Sequence, residues 1–201
     1  MENEYNINLM PHQWEEFNGD YFVAEQFLFM KEKYNIKTAV ELGTCLGSSA
    51  IWFAKNFEKV ITIEISVGYA SIANKRIIKE NLENIQLYVG DTVAVLPEII
   101  HDINDDSIFF IDSHWGNECP MLKELQIIAK RGIKPVIVIH DFKVPNEPAL
   151  GFDDIHGQPF EWAWIKPYID AIYGVDGYLY YYNSNEKSTE IKRGVIYICK
   201  L

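Results

Sequence analysis

Ala39-Val40-Glu41-Leu42-Gly43-Thr44-Cys45-Leu46-Gly47-Ser48-Ser49-Ala50-Ile51-Trp52-Phe53 reads as a buried strand, a tight turn between two glycines, and the opening of a helix. Ile51 and Trp52, and beyond them Phe57, are expected to face inward. Gly43 and Gly47 flank Thr44-Cys45-Leu46, so the backbone can pass close to a ligand, while the N–H groups of the first helical turn and the hydroxyls of Ser48 and Ser49 supply donors. A dinucleotide fingerprint would carry glycine in place of Cys45, and a triphosphate loop would carry Lys-Ser or Lys-Thr after its last glycine. Neither is present.

Outward from this turn the chain alternates short apolar runs with helix-length segments. Strands are expected at residues 38–42, 60–63 ending at Glu64-Ile65, 85–89 ending at Gly90-Asp91-Thr92, 107–111 ending at Asp112-Ser113-His114, and 135–139 ending at His140-Asp141. Helices are expected at 21–34, with Phe22, Gln26, Phe29, Met30 and Lys33 forming its apolar and polar flanks, at 67–81 behind a Ser66 cap, and from a first turn holding Pro120 to about 130. Short strands between helices of ordinary length indicate a parallel sheet covered on both faces. The rhythm then breaks at 143–165, where Pro145, Pro148, Gly151, Gly157 and Pro159 mark a long substrate-side loop. A helix at 162–172 and strands at 178–182 and 194–198 follow, the last two forming an antiparallel pair at the sheet edge. Residues 1–20, with Tyr5, Trp14 and Phe17, read as a cover or lid over one α/β domain spanning 1–201.

The 201 residues include 18 basic and 29 acidic ones, and the net charge of −11 weighs against a duplex-binding surface. The basic pairs Lys75-Arg76 and Lys130-Arg131 fall on amphipathic helices and read as solvated faces. Cys45, Cys119 and Cys199 form neither a disulfide framework nor a zinc ribbon, and with no signal peptide or membrane-length apolar run the expectation is a cytoplasmic protein with no membrane and no nucleic-acid partner. A homodimer is compatible with the sequence.

Three carboxylates narrow the ligand. Glu64 stands just over twenty residues beyond Gly43, where a carboxylate can accept both hydroxyls of a ribose. Asp91 can receive an adenine amino group or cap the helix beginning at Thr92. Glu41, immediately before the turn, suits an ammonium or sulfonium better than a pyrophosphate.

With these residues the chain resembles the class I S-adenosylmethionine-dependent methyltransferases, Glu41 to Gly47 matching the first motif, Glu64 the acid after strand two, and Gly90-Asp91 the adenine-side motif. The resemblance implies a Rossmann-like, seven-stranded, mostly parallel sheet with helices on both faces and a C-terminal antiparallel hairpin. It implies S-adenosyl-L-methionine contacts at Glu41, Gly43, Thr44, Gly47, Ser48, Ser49, Glu64, Ile65, Asp91, Thr92 and Asp112. The stretches 110–114 and 139–141 are similar to a small-molecule branch that includes catechol O-methyltransferase-like and cephalosporin hydroxylase-like proteins, in which carboxylates after strands four and five hold a divalent ion such as Mg²⁺. The matching positions are Asp112 and Asp141, with His140 as a further ligand. The catechol enzymes place an asparagine after the second acid, where this chain has Phe142, so the shell would need His140, His114 or a loop residue to complete it.

Read without the resemblance, Asp112 and Asp141 would face each other across neighbouring strand ends, and His114, His140 and Asp141 are the candidates for chemistry, an imidazole serving as general base. The loop adds Asp153, Asp154, His156 and Gln158 among aromatic residues that can close over an acceptor. The expected activity is methyl transfer to an oxygen or nitrogen of a small polar acceptor. A metal-dependent hydroxylase of the related branch and a non-catalytic cofactor-binding partner protein are the rivals.

Overall fold

The computed structural model describes residues 15–115, 118–188 and 192–201. One seven-stranded sheet takes strands from most of the chain: β1 (Thr38–Leu42), β2 (Lys59–Glu64), β3 (Ile85–Val89), β4 (Ser107–Ile111), β5 (Val136–Ile139), β8 (Tyr178–Tyr182) and β9 (Ile196–Lys200). Its order is β3-β2-β1-β4-β5-β9-β8, parallel from β3 to β5, with β9 antiparallel to both β5 and β8. The helices are α1 (Tyr21–Tyr34), α2 (Ser48–Asn56), α3 (Val67–Lys79), α4 (Thr92–Ile99), α5 (Met121–Arg131) and α6 (Trp162–Tyr173), and β6 (Asp154–Ile155) pairs with β7 (Gln158–Pro159) inside the long loop.

The central strands are buried on both sides, so they alternate between two cores. Val40, Leu42, Ile61, Ile63, Phe109 and Ile111 join α4, α5 and α6 on one face, while Ala39, Val60, Ile108, Phe110 and Val138 join α1 and α2 on the other. The α1 face is not the one anticipated: Val23, Ala24, Phe27 and Met30 are buried, whereas Phe29 is exposed. Spacing of i, i+4 and i+7 from Val23 selects the stripe that meets the sheet, and Phe29 falls opposite it. On α2, likewise, Phe53 is fully buried and Trp52 only partly so. Phe17 completes this core. Its ring lies 5.0 Å from that of Phe27 and meets Trp52, Phe53 and Phe110 edge-on. Phe17 is therefore core, while residues 1–14 of the cover segment, with Tyr5 and Trp14, lie outside the described residues.

Element ends differ by a residue or two from expectation for local reasons. The third helix stops at Lys79 because Asn81 turns left-handed, and β5 starts after Pro135, which has no N–H to donate. Pro120 stands just ahead of α5 rather than within it. The last strand starts at Ile196, two residues late, because Gly194 and Val195 are occupied elsewhere: Gly194 O accepts from Phe142 N, and Val195 pairs with Asn183.

Parallel register aligns the strand ends that matter. Leu42 stands beside Ile63 on one side and Ile111 on the other, and Ile111 beside Ile139. The residues that follow are stitched sideways: Gly43 N and Thr44 N donate to Ile63 O, Asp112 N to Leu42 O, Gly90 N to Glu64 O and His140 N to Ile111 O. Gly43 is glycine because of this contact. It has φ +99°, and a Cβ there would lie 2.3 Å from the Asp112 carbonyl oxygen. The room at Gly43 thus receives the backbone of Asp112, just beyond β4. Gly47, at φ +80°, instead lets α2 approach Ala73 of α3.

Gly43→Ala is expected to cost about 2–4 kcal/mol in urea unfolding, from a left-handed residue and a backbone collision together. Gly132→Ala, also at positive φ but with nothing within 4 Å of its added Cβ, is expected to cost only about 1 kcal/mol by the same measurement.

Candidate functional site

The turn after β1 is held from three directions. Cys45 sits in the left-handed region at φ +48°, where the related dinucleotide loop would use glycine, and its N–H donates to Glu64 Oε2 at 2.7 Å. The other Glu64 oxygen accepts Ser66 N–H at 2.8 Å. From α3, Arg76 reaches Leu46 O at 2.7 Å and Ser48 Oγ at 2.9 Å. The expectation of a solvated basic face fails at Arg76, whose guanidinium clasps the turn, and holds at Lys130 and Arg131, which are exposed, Arg131 also bonding the carbonyls of Ile100 and His101. Ser49 Oγ accepts the Phe17 N–H at 3.1 Å and so ties the cover segment to α2.

Below the turn, Glu41 is 1% exposed and accepts from Thr62 Oγ1 at 2.6 Å, and Thr62 in turn meets Thr44 Oγ1. Burial drives the Glu41 carboxyl well above the ordinary range, and Asp112 and Glu64 add to the rise against the lowering bond from Thr62. A cation placed beside it would be needed to recover the charge.

A cavity of about 330 Å³ runs from this turn to the ends of β4 and β5. Glu41, Gly43, Thr44, Ser48, Ser49, Asp112, His114 and Asp141 all line it, so residues separated by a hundred positions share one wall. Gly47, Glu64, Ile65, Asp91, Thr92 and His140 are not part of that lining. Glu64 stands behind the turn, and Ile65 beside it is 66% exposed. Asp91 caps α4, accepting Val93 N–H at 2.9 Å. Thr92 is buried, with its hydroxyl on Glu124.

At the far end six charged or titratable side chains converge. His114 Nε2 lies 3.0 Å from Asp141 Oδ2 and 3.0 Å from Asp153 Oδ2. The Arg193 guanidinium bridges the other oxygens, Nε to Asp141 Oδ1 and an Nη to Asp153 Oδ1. His140 Nδ1 stands 3.2 Å from Asp141 Oδ2, out of hydrogen-bond alignment, and 3.8 Å from Asp112 Oδ1. Asp112 alone of the three acids accepts no hydrogen bond among the described residues. Asp141 is itself left-handed at φ +57°, a strained conformation that turns its side chain into the cluster.

These neighbours set the protonation. Burial opposes charge on His114, but the bonds to Asp141 and Asp153 raise its pKa to about 10; His140 is raised to about 9 against burial by Asp141 and Asp112. Both imidazoles are thus held toward their protonated forms, which works against a neutral imidazole acting as base near pH 7. Asp141, despite its burial, is held well below the usual carboxylate range by His140, His114 and Arg193. Asp112 moves the other way, raised by burial and by Asp141.

Asp112, His140 and Asp141, and likewise His114, Asp141 and Asp153, present ligand atoms within 4.8 Å of one another, a spacing that suits a divalent ion. Their bonding does not suit one. One oxygen of each of Asp141 and Asp153 is bonded by the Arg193 guanidinium and the other faces His114 Nε2, so an ion on their remaining lone pairs would have these nitrogens as close neighbours. Phe142, at the position of the missing asparagine, is fully buried and stacks near Tyr182.

The loop earns its place in the cluster by backbone pairing. Asp153 N donates to Asp141 O and Phe160 N to Asp153 O, which brings the Asp153 carboxylate to His114 and the Phe160 ring to 4.9 Å from the imidazole. Asp154 and His156 are turn residues instead: Asp154 Oδ1 accepts Gly157 N–H, and His156 is exposed at φ +52°. Trp164 stacks on Phe160 and Trp162 on Tyr180, so the tryptophans pack the loop and α6 against the sheet edge.

Sequence reasoning passed over Arg193 and Glu124. Arg193 lies in the polar connection before β9 and carries no local signal. Glu124 does carry one, because it shares the stripe Met121, Leu125 and Ile128 on α5, where a carboxylate is out of place. It is fully buried; Oε1 accepts Ser113 Oγ at 2.6 Å and the Thr92 hydroxyl, while Oε2 has no partner. Burial raises its pKa to about 7. It joins α5 to the N-terminus of α4 and to the residue beside His114.

No family model matches the chain. A catechol O-methyltransferase of Niastella koreensis is 32% identical over 82 residues, covering 38% of this chain and 37% of that protein. The chain thus matches little more than a third of that relative's length. Among solved structures, the O-methyltransferase TomG of Streptomyces achromogenes, in complex with S-adenosylmethionine, superposes with TM-score 0.62 at 15% identity over 89% of this chain and 79% of that one. An O-methyltransferase from Bacillus cereus in complex with S-adenosylhomocysteine gives 0.60 at 17% over 96% and 83%. An rRNA methylase from Streptococcus thermophilus gives 0.54 at 14% over 89% and 95%. The chain therefore has the class I methyltransferase fold.

Glu124 generates a pH prediction. Its folded pKa of about 7 exceeds the ordinary 4.5, so its contribution is complete below pH 4.5 and is lost as pH rises through 7, on the order of 3 kcal/mol in all. Glu124→Gln, which cannot ionise, should gain stability relative to the unchanged protein between pH 5 and pH 8. Urea midpoints at the two pH values check this, and an unchanged difference would refute it.

Proposed function

We propose that this protein transfers a methyl group from S-adenosylmethionine to an oxygen or nitrogen of a small polar acceptor. The observation that carries the reading is the set of carboxylates at successive strand ends, Glu41, Glu64 and Asp91, around a glycine turn that opens into the cavity ending at Asp112. In this reading the buried Glu41 meets the cationic end of the cofactor, and each Glu64 oxygen, already bound to one backbone N–H, uses a remaining lone pair for a ribose hydroxyl. Exposed Ile65 offers an apolar face to the adenine, and Asp91 keeps its capping bond while facing the exocyclic amine. Thr44, Ser48 and Ser49 line the passage in between.

The rate comes chiefly from alignment of acceptor, methyl carbon and departing sulfur. Asp112 is the group suited to take the acceptor's proton: it lies at the cavity wall, accepts no hydrogen bond from the described residues, and is a stronger base than an ordinary carboxylate. His114 stands beside it in the cavity wall as a donor that steadies the oxygen losing its proton, oriented by its bond to Asp141, and His140 lies buried behind Asp112. Phe160 and the loop behind it keep water from His114.

The acidic balance of 29 to 18 favours a small acceptor over a nucleic acid, although the fold also serves an rRNA methylase. None of the three cysteines is paired, and among the described residues no helix is long and apolar enough to cross a membrane; a cytoplasmic setting is part of the proposal.

S-Adenosylhomocysteine is expected to raise the melting temperature in a concentration-dependent way, and NAD to leave it unchanged. Absence of any shift with the homocysteine product overturns the reading. Glu64→Ala, checked for folding by circular dichroism, should weaken that binding roughly 10- to 100-fold, the loss of charge-assisted bonds worth about 1.5–3 kcal/mol. Asp112→Asn should retain binding while abolishing transfer of labelled methyl to any acceptor the wild type accepts.

A further inference from the structure

We propose that Arg193 is the resident cation of this site, its guanidinium neutralising on Asp141 and Asp153 the charge that a divalent ion would otherwise balance. The inference deepens the methyltransferase reading and rests on it only for the reaction served; the assignment of the cation rests on geometry.

The guanidinium is placed by backbone features that leave it little freedom. Beyond β5 the chain continues pairing: Phe142 N donates to Gly194 O, Gly194 N to Gly151 O, and Gly151 N to Lys192 O. Residues 192–194 are therefore clamped between the end of β5 and the long loop. Gly194 allows it, since a Cβ there would stand 1.9 Å from Phe142 O. Gly151 provides the bed for the side chain, its hypothetical Cβ falling 2.9 Å from an Arg193 Nη and 3.3 Å from Cδ. Asn183 closes the arrangement by donating to Arg193 O at 2.8 Å. The side chain leaves this clamp toward two carboxylates from different segments, and a planar fork with Nε and Nη donors spans them as a point charge would not.

The neighbouring residues complete the charge set. Asp112, Asp141 and Asp153 face Arg193, His114 and His140, and among these six only the guanidinium carries a fixed positive charge. A divalent ion held on the Oδ2 side of Asp141 and Asp153 would lie close to a guanidinium already bonded to the Oδ1 atoms of both carboxylates, a like-charge contact that disfavours it. Phe142 points the same way. The position from which a third oxygen ligand would come is turned into the core, while its backbone N–H instead anchors the glycine next to Arg193.

Arg193 is on this view a positioning residue. It touches neither cofactor nor acceptor in the proposed arrangement; it fixes Asp141 and Asp153 so that both present an oxygen to His114 Nε2, leaving the opposite side of that ring toward Asp112.

The test uses the full chain, Mn²⁺ as the metal probe, and three proteins: wild type, Arg193→Gln and Arg193→Lys. Calorimetric titration with Mn²⁺ should find no saturable binding to wild type or to Arg193→Lys, which keeps a cation in place. Arg193→Gln should acquire saturable Mn²⁺ binding, with affinity at least about tenfold above any shown by wild type, as coupling energies of close charge pairs require. Its melting temperature should fall without metal and recover with Mn²⁺. Saturable binding by the wild type overturns the assignment, as does failure of a folded Arg193→Gln to bind. Should Arg193→Gln fail to fold, Arg193→Met, which also removes the charge but keeps an unbranched side chain of similar reach, takes its place with the same expected and refuting results, and saturable Mn²⁺ binding to the wild type remains a refuting result. S-Adenosylhomocysteine is titrated alongside: a melting shift in the wild type keeps the cofactor reading whatever Mn²⁺ does, and its absence removes that reading without touching the cation assignment.

Discussion

Everything in this site depends on the close approach of two parallel strands at their C-terminal ends. Gly43 meets the Asp112 backbone where β1 leaves β4, because the chain after β1 turns to one side of the sheet and the chain after β4 to the other. A crevice opens at this switch of direction, as it does in other doubly wound sheets. Any side chain at Gly43 would push the two ends apart. The turn would then lose its bonds to Ile63, and Asp112 its bond to Leu42. The cavity is the space that this contact leaves above itself.

Two kinds of electrostatic environment meet across the crevice. On the turn side, Glu41 is buried with the Thr62 hydroxyl as its partner and is driven toward its neutral form, from which an entering cation would draw back the charge. On the β4–β5 side, acids and bases are packed so closely that Asp141 stays ionised and the two histidines stay protonated. Asp112 belongs to neither arrangement. It is flanked by imidazoles at 3.8 and 3.9 Å yet bonded by none, which leaves its lone pairs to whatever enters the cavity. The two sides have been tuned separately, by withheld partners on one and by crowded partners on the other.

The same segments that stabilise the sheet also build the site. β9 closes the sheet next to β5, and the residues just before it carry Arg193 into the charge cluster. The long loop covers the core with Leu150 and Phe160 and delivers Asp153 on the way. Arg76 and Glu124, both on helices, brace the turn and the Ser113 loop from behind. A change at any of these reaches the site through geometry.

The local pattern was enough to establish the alternation of strands and helices, because burial on both faces of a parallel sheet demands continuous apolar runs, and these are visible at residues 38–42, 107–111 and 136–139. It also established which residues end the strands, and with them Glu41, Glu64, Asp91, Asp112 and Asp141, since those acids interrupt or terminate the apolar runs. Glu124 was legible on the same principle, as a carboxylate in an apolar stripe. The tertiary structure decided the rest. The buried face of α1 depended on how the helix rolled against the sheet, and the true tenant of the space at Gly43 on which strand came alongside. The partnership of Arg193 with Asp141, across 52 positions, required β9 to insert beside β5, and no spacing along the chain encodes that event. Periodicity records what a residue faces within its own element; the protonation and pairing of a site are set by groups that arrive from other elements, and these exist as neighbours only once the sheet is assembled.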